Sequence, residues 1–198
     1  MFPLPPGTQT LLLMNLALFA LDVFTGYSLR DELALWPIGS GAVGGVGFMP
    51  WQLLTYGFLH ENWVHILTNM FGLVMFGSGV ERVWGRNRFL TYYFTCVLSA
   101  GVTQLLFTWY THSYEPTVGA SGGVFGLLLA FALLFPQRTV ILIFPPIPMP
   151  AWLFATVYGA IELFQGVAGT QQGVAHFAHL GGMLGGYLLI RYGRGRRR

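Results

Sequence analysis

Six long apolar segments dominate this chain and limit what it can fold into. They occupy residues 8–27, 63–80, 89–110, 119–135, 150–167 and 175–192. Each is close to the roughly 20 residues that an α-helix needs to cross the hydrocarbon core of a bilayer. Every backbone polar group in lipid must be paired internally, so apolar segments of this length are expected to form helices. The pattern therefore predicts an all-α, polytopic membrane protein built as a bundle of six transmembrane helices.

The composition leaves little room for anything besides these helices. Hydrophobic residues make up 54% of the chain and charged residues only 9%, far below the charged fraction of about a quarter that soluble domains carry. We therefore expect a single transmembrane domain over residues 1–198, surrounded by the lipid bilayer. The net charge of +3 comes from arginines at segment ends, which favours membrane orientation over nucleic-acid binding.

The arginines also predict the orientation of the bundle. If six helices cross the bilayer, Arg30 falls on one face, and all the other arginines fall on the opposite face: Arg82, Arg86, Arg88, Arg138, Arg191, Arg194, Arg196, Arg197 and Arg198. Positively charged side chains are enriched in cytoplasmic loops, so the arginine-rich face and both termini are expected in the cytoplasm. The basic tail 191–198 is expected to contact anionic lipid headgroups.

Three segments outside the predicted helix interiors give further expectations. The stretch 28–62 is rich in glycine but keeps apolar side chains, which is typical of a loop that half-sinks into the outer leaflet. The stretch 136–150 contains five prolines, each of which removes a backbone donor, so a non-helical cytoplasmic link is expected. The N-terminus lacks the basic region and cleavage site of a signal peptide, which predicts a retained first helix. The lack of a transit peptide favours a bacterial cytoplasmic membrane.

The segment 119–126 places one hydroxyl group among small residues at the start of an apolar run. Its sequence, Gly-Ala-Ser-Gly-Gly-Val-Phe-Gly, makes Ser121 a candidate nucleophile. Small residues are also common where membrane helices pack closely, and for this motif alone packing is the commoner explanation. A catalytic role requires a base within hydrogen-bond reach of the hydroxyl.

His179 is the best candidate for that base. It lies about one turn into the sixth segment, at a depth similar to that of Ser121 in the fourth, and a histidine within a span usually faces the bundle interior. His176 is a rival base, although its position nearer water favours a solvated or loop-stabilising role. No acidic residue has a spacing that places it beside His179, so a Ser-His dyad is expected. Phe125 lies four residues after Ser121, where its ring could stack on the imidazole or simply pack against apolar neighbours.

Two side chains of the second segment are candidates for an oxyanion hole. His65 and Asn69 are four residues apart, so both project from one helix face near its outer end. Together with the backbone N–H of Ser121 they could stabilise the charge of a tetrahedral intermediate. Interhelical hydrogen bonding is the alternative role for such residues. Neither a metal nor a cofactor is expected, because the histidines lack the His-Glu-x-x-His spacing of zinc hydrolases.

In combination, these motifs resemble those of the rhomboid intramembrane serine proteases. Three motifs agree in order and spacing: Gly119-Ala120-Ser121-Gly122, Ala178-His179-Leu180-Gly181-Gly182 with Gly186, and His60 through His65 to Asn69. The resemblance covers about residues 51–186. It implies that Ser121 is the nucleophile and His179 the general base. It further implies an oxyanion hole of His65, Asn69 and the Ser121 amide, supported by four other residues: Phe125, Gly119, Gly122 and His60.

The resemblance implies a function as well as a site. It implies cleavage of transmembrane protein substrates near the outer membrane face, with small residues at the scissile position. One alternative is a catalytically silent rhomboid-like protein that binds or chaperones membrane helices. Another is a small transporter, which would more typically show a repeat between its two halves. The sequence carries no signal for a particular oligomeric state.

Several residues depart from the family pattern or lie outside its motifs. Gln52 stands where arginine is common, which puts the anchoring of the first external loop in doubt. Phe125 stands where tyrosine is frequent, so a hydroxyl is lost. Glu81 belongs to a Gly-x-x-x-Glu-x-x-x-Gly element in which the resemblance implies a structural glutamate. Glu162 lies inside the fifth segment, where it could line an access route or, in a protonated state, form an interhelical hydrogen bond. The connector 168–174 is expected to act as a flap over the site.

Overall fold

Six long helices account for most of the chain in the computed structural model, which describes residues 3–141, 146–168 and 175–193. They are α1 (Pro6–Phe24), α2 (Trp63–Trp84), α3 (Arg86–Thr111), α4 (Ser121–Leu134), α5 (Ala151–Ala168) and α6 (His176–Tyr192). Within these described ranges, α1, α2, α3 and α5 are long and apolar enough to cross a membrane, whereas α4 has 14 residues and α6 has 17. The prediction of an all-α polytopic bundle is confirmed.

Close packing at glycines joins α3, α4 and α6 in the centre of the bundle. A Cβ atom on Gly182 would collide with the backbone carbonyl of Gly122, and one on Gly122 would collide with the Ala100 side chain. A Cβ atom on Gly126 would likewise collide with the sulfur of Cys96. Small residues let membrane helices approach at backbone distance. The glycines around the serine motif therefore pack helices together, as the simpler interpretation of that motif expects.

Glu81 caps the first turn of α1 from a neighbouring helix. Its carboxylate accepts hydrogen bonds from the backbone N–H groups of Gly7 and Thr8, at 2.7 and 2.6 Å, and from the Thr8 hydroxyl at 2.8 Å. The first N–H groups of a helix have no acceptor within that helix, and a negative charge there is favourable. Glu81 is buried, so it holds the start of α1 against α2, in agreement with the expected structural role.

Gln52 anchors the long connection between α1 and α2. Its side-chain oxygen accepts from the backbone N–H groups of Trp36 and Met49, at 3.2 and 3.1 Å, and its amide donates to the carbonyl of Glu32 at 3.3 Å. The side chain is fully buried. The doubt raised by the missing arginine is therefore removed, because the neutral amide ties together three parts of the loop.

The proline-rich link between α4 and α5 is non-helical in its described residues, as predicted. It contains a short antiparallel pair, β1 (Thr139–Ile141) with β2 (Pro148–Pro150), in which Val140 lies opposite Met149. Two predictions fall largely outside the described part of the chain. These are the flap at residues 168–174, of which only Ala168 is described, and the basic tail, of which residues 194–198 lie beyond it.

Candidate active site

Ser121 is the first residue of α4, and the chain reaches it through a glycine in an unusual conformation. Gly119 has φ of +132°, a region that side-chain-bearing residues rarely adopt. The helix starts inside the bundle, because Ala120 and Gly122 on either side of Ser121 are both buried. Amide N–H groups in the first turn of a helix have no intrahelical acceptor. The start of α4 therefore presents a hydroxyl and free backbone donors in the same place.

His179 contacts Ser121 directly. The Nε2 atom of His179 lies 2.7 Å from the Ser121 Oγ, although the two residues are 58 positions apart in the chain. His179 lies in the first turn of α6 and is largely buried. The glycine contact between α4 and α6 brings the two helices close enough for this hydrogen bond. The pair has the arrangement in which an imidazole can take a proton from a hydroxyl.

Glu162 hydrogen-bonds to the other nitrogen of the same imidazole. Its Oε2 atom lies 2.8 Å from Nδ1 of His179. The expectation that no carboxylate lies beside His179 is therefore wrong. Glu162 belongs to α5, and the packing of α5 against α6 brings the two side chains together. The sequence interval of 17 residues crosses a helix end and a connector, so it gave no sign of this contact.

His176 binds the same carboxylate oxygen. Its Nδ1 atom lies 2.7 Å from Oε2 of Glu162, and the residue is only 5% exposed. The prediction of a solvated or loop-stabilising role is therefore wrong, because the start of α6 is buried against α5. Of the two interpretations of Glu162, the structure supports the interhelical hydrogen bond. Glu162, His176 and His179 also carry donor types that zinc selects, and their hydrogen bonds already pair all three side chains.

Phe125 covers the face of the His179 ring. The two ring centroids are 4.4 Å apart and the planes differ by 6°, so the rings are stacked. Phe125 also lies beside Tyr158 of α5, with centroids 6.5 Å apart. Of the two roles considered for Phe125, the structure shows the stacking one. A ring in this position restricts rotation of the imidazole without using a hydrogen bond.

His65 and Asn69 lie in the same cavity as Ser121 and His179. The cavity has a volume of about 1030 Å³ and is lined by residues of α2 to α6 and of the segment before α4. A Cβ atom on Gly119 would lie 2.8 Å from the His65 Nε2 atom and 3.6 Å from the Ser121 Oγ. His65 Nε2 therefore points at the backbone beside the serine. The absence of a side chain at Gly119 keeps this space open.

Local hydrogen bonds indicate which N–H groups of His65 and Asn69 are available to donate. The Nδ1 atom of His65 accepts from the backbone N–H of Glu61 at 3.4 Å, which assigns the proton of a neutral ring to Nε2. The side-chain amide of Asn69 donates to the His65 carbonyl at 2.8 Å. An amide carries two N–H groups, so the second remains for the cavity. Both side chains can thus donate toward the space beside Ser121.

Comparison with known proteins assigns the family. A sequence profile of the rhomboid domain matches residues 47–196. The chain belongs to the rhomboid family. It is 31% identical over 193 residues to Rhomboid-like protein 11, chloroplastic, of Arabidopsis thaliana, an alignment covering 93% of this chain and 64% of that protein.

Two mitochondrial rhomboid proteins are also similar to this chain. Rhomboid protein 1 of Saccharomyces cerevisiae is 29% identical over 149 residues, which cover 69% of this chain and 40% of the yeast protein. The presenilin-associated rhomboid-like protein of Bos taurus is 32% identical over 148 residues, covering 71% of this chain and 37% of the bovine protein. The alignments thus span less than two thirds of each of these three relatives. Membership gives the rhomboid bundle, while activity depends on the site itself.

His60 packs directly against His65. It is fully buried, and its ring meets that of His65 edge to face at a centroid distance of 5.1 Å. Burial lowers the pKa of His60 to about 3, and the nearby His65 adds to the effect, so the ring is neutral at ordinary pH. Arg30 donates to the carbonyls of His60 and Glu61 at 3.1 Å each and pairs with Asp22. This arginine holds in place the turn that precedes His65.

Proposed function

We propose that this chain is an intramembrane serine endopeptidase that cleaves transmembrane protein substrates. The observation that carries the proposal is the hydrogen bond of 2.7 Å between the Ser121 hydroxyl and His179 Nε2 inside a cavity of about 1030 Å³. A serine hydroxyl is a weak nucleophile until a neighbouring base accepts its proton. His179 is the base, and its ring is held by stacking on Phe125.

The proposed reaction proceeds by acyl transfer. The Ser121 oxygen attacks the scissile carbonyl carbon while its proton passes to His179 Nε2. The tetrahedral intermediate then collapses, the carbon–nitrogen bond breaks, and the imidazolium returns the proton to the leaving amine. Water, activated by the same imidazole, hydrolyses the acyl-enzyme and restores Ser121. These steps use side chains and water alone.

The oxyanion of the intermediate would lie beside the start of α4. We assign three donors to this space: the Ser121 N–H, the Asn69 amide and the His65 Nε2 proton. Preorganised donors of this kind act where negative charge develops, and they need no reorganisation during the reaction. Gly119 is necessary here because a side chain at that position would fill the space next to His65 Nε2.

Replacement of Asn69 by alanine is expected to lower kcat by about 10²-fold with little change in KM, because one oxyanion donor typically contributes that much. Steady-state cleavage of a labelled transmembrane substrate in proteoliposomes measures both constants. Asn87→Ala, the same substitution at an exposed position near the start of α3, is the control and should retain wild-type kinetics. A rise in KM at unchanged kcat for Asn69→Ala would assign the amide to substrate binding.

The arginine distribution supports the proposed orientation, with both termini in the cytoplasm and the site toward the outer face. We further propose that the chain forms one domain and that it lies in a bacterial cytoplasmic membrane. Substrate helices would enter near α5 and unwind locally to reach Ser121, with small residues at the scissile bond. A helper protein that only binds membrane helices would have no need for the contact between His179 and Ser121.

Labelling with a serine-directed fluorophosphonate tests the function on the unmodified protein. The purified protein is reconstituted with a labelled transmembrane substrate, and the site of the adduct is identified by mass spectrometry. We expect cleavage of the substrate and one adduct, at Ser121. Ser113 lines the same cavity and serves as an internal control that should stay unlabelled. An intact substrate together with an unmodified Ser121 would favour the helper protein.

A further inference from the structure

One carboxylate oxygen accepts hydrogen bonds from two imidazoles beside the proposed nucleophile. Oε2 of Glu162 lies 2.7 Å from Nδ1 of His176 and 2.8 Å from Nδ1 of His179. The three residues are buried, each less than one tenth exposed. An ionised carboxylate accepts and does not donate, so both Nδ1 atoms carry protons when Glu162 is ionised. This charge state sets the tautomer of each neutral ring.

The fixed tautomer of His179 is the one that a general base requires. With its proton on Nδ1, a neutral imidazole has its lone pair on Nε2, the atom that faces the Ser121 hydroxyl. Phe125 stacks on the ring. Both nitrogens and one face of the imidazole therefore have partners. Glu162 binds one nitrogen, Ser121 binds the other, and Phe125 covers one ring face.

We propose that Glu162 is a positioning residue that makes His179 an effective base, so that the site operates as a triad of serine, histidine and glutamate and not as a two-residue pair. This inference rests on the proposed function. When the Ser121 oxygen bonds to the substrate carbonyl, its proton moves to Nε2 of His179. The positive charge that forms on the ring is stabilised by Glu162, which keeps its own negative charge and accepts no proton.

His176 has a matching role toward the carboxylate. Its Nδ1–H donates to the same oxygen from one turn earlier in α6, so Glu162 is held by two donors of one helix. Outer partners of this kind orient the residues that act directly in a reaction. Loss of His176 should therefore weaken the effect of Glu162 without abolishing it.

A competing role for Glu162 is to fasten α5 to α6. Among the four described helices long enough to cross the membrane, α5 is the least buried, because only 22% of its residues lie inside the bundle. A fastening residue would influence how a transmembrane substrate enters. It would not change the reaction of Ser121 with a small reagent that reaches the cavity without passing between helices.

The substitution Glu162→Gln separates the two roles, because the amide keeps the size of the side chain but loses its charge. We expect about a 100-fold fall both in the rate of Ser121 labelling by a small fluorophosphonate and in kcat for a transmembrane substrate, with KM changed less than twofold. Glu162→Asp should recover part of the rate and His176→Gln should lose less than Glu162→Gln. Thr156→Val, an exposed position of α5, should behave as wild type. All reactions contain EDTA, because the three side chains also carry possible metal ligands.

The labelling and cleavage rates together distinguish the two roles of Glu162. If Glu162→Gln is labelled by the small reagent at the wild-type rate and only KM or substrate cleavage changes, the proposed triad is overturned in favour of the fastening role. Wild-type behaviour in both assays would also overturn it while leaving the proposed protease intact. Failure of the proposed function shows itself separately, as an unmodified protein that neither cleaves substrate nor labels at Ser121.

A spectroscopic measurement tests the proposed triad without any catalysis. In protein labelled with ¹⁵N-histidine and carrying Ser121→Ala, we expect two strongly deshielded Nδ1–H protons, from His176 and His179, and an unprotonated Nε2 on His179. Adding Glu162→Gln should remove both deshielded signals and allow the proton of His179 to move to Nε2. An unchanged spectrum in a folded Glu162→Gln protein would contradict the inference.

Discussion

Replacement of Ser121 by alanine is expected to lower cleavage of a transmembrane substrate by at least about 10³-fold, because the residual rate then depends on binding and the oxyanion donors alone. His179→Ala should have a comparable effect, since a hydroxyl without a base stays protonated. The double variant should be no slower than either single variant, because residues that act as one unit have strongly non-additive effects. Initial rates in proteoliposomes measure all three proteins against wild type.

The control for these variants is Ser28→Ala, the same chemical change at an exposed position of the first loop, which should cleave at the wild-type rate. Folding is checked by thermal unfolding. Ser121→Ala should leave the midpoint near that of wild type, since alanine fits at the start of a helix. His179→Ala should lower the midpoint, because it removes the ring stacked on Phe125 and one hydrogen bond to the buried Glu162, so its rate is measured well below that midpoint. Substrate cleavage that persists in Ser121→Ala would exclude this serine as the nucleophile. Equal substrate binding by wild type and variant with no cleavage by either would instead indicate a helix-binding protein.

Replacement of Gly182 by alanine is expected to impair both folding and activity. The new methyl group would meet the Gly122 carbonyl across the interface of α4 and α6, so the helices must separate. Overpacking of this kind typically costs about 1–3 kcal/mol. The same interface sets the distance between Ser121 and His179, and a misplacement of about 1 Å can cost about 10²-fold in rate. Thermal unfolding and fluorophosphonate labelling measure the two effects.

Gly159→Ala is the matched control, because it makes the same substitution in the middle of α5. A Cβ atom there would lie 3.7 Å from the Met183 methyl group and 3.8 Å from its sulfur, which is ordinary contact with a flexible side chain. We expect no loss of stability and a gain of up to about 1 kcal/mol, since alanine is favoured over glycine inside a helix, together with normal labelling of Ser121. If Gly182→Ala unfolded and reacted like wild type, the close approach of α4 and α6 would not be what sets the geometry of the site.

Much of the site is readable from the sequence because its signals are local. The interval of four residues between His65 and Asn69 places them on one helix face by helix geometry alone, and both line the cavity. The interval between Ser121 and Phe125 works in the same way, and Phe125 covers His179. Gln52 shows the limit of such reasoning, since a missing arginine indicated a weaker loop anchor, yet the amide makes three hydrogen bonds.

Glu162 and His176 show what the sequence left open. An acid within a predicted span is recognisable as costly and therefore in need of a partner, and that signal was present. The identity of the partner depends on the rotation of α5 about its axis and on its depth relative to α6. These are properties of tertiary packing, on which the spacing of residues along the chain carries no information.

By itself, the sequence determined the six long helices of the described residues, the non-helical link before α5 and the residues that belong to each helix face. It could do so because hydropathy, proline and helical periodicity act within one segment. Only the tertiary structure decided that Glu162 holds two imidazoles, that His176 is buried, and that Gly182 meets the Gly122 carbonyl. Those contacts join helices that are distant in the chain, and their geometry is set by how the whole bundle packs.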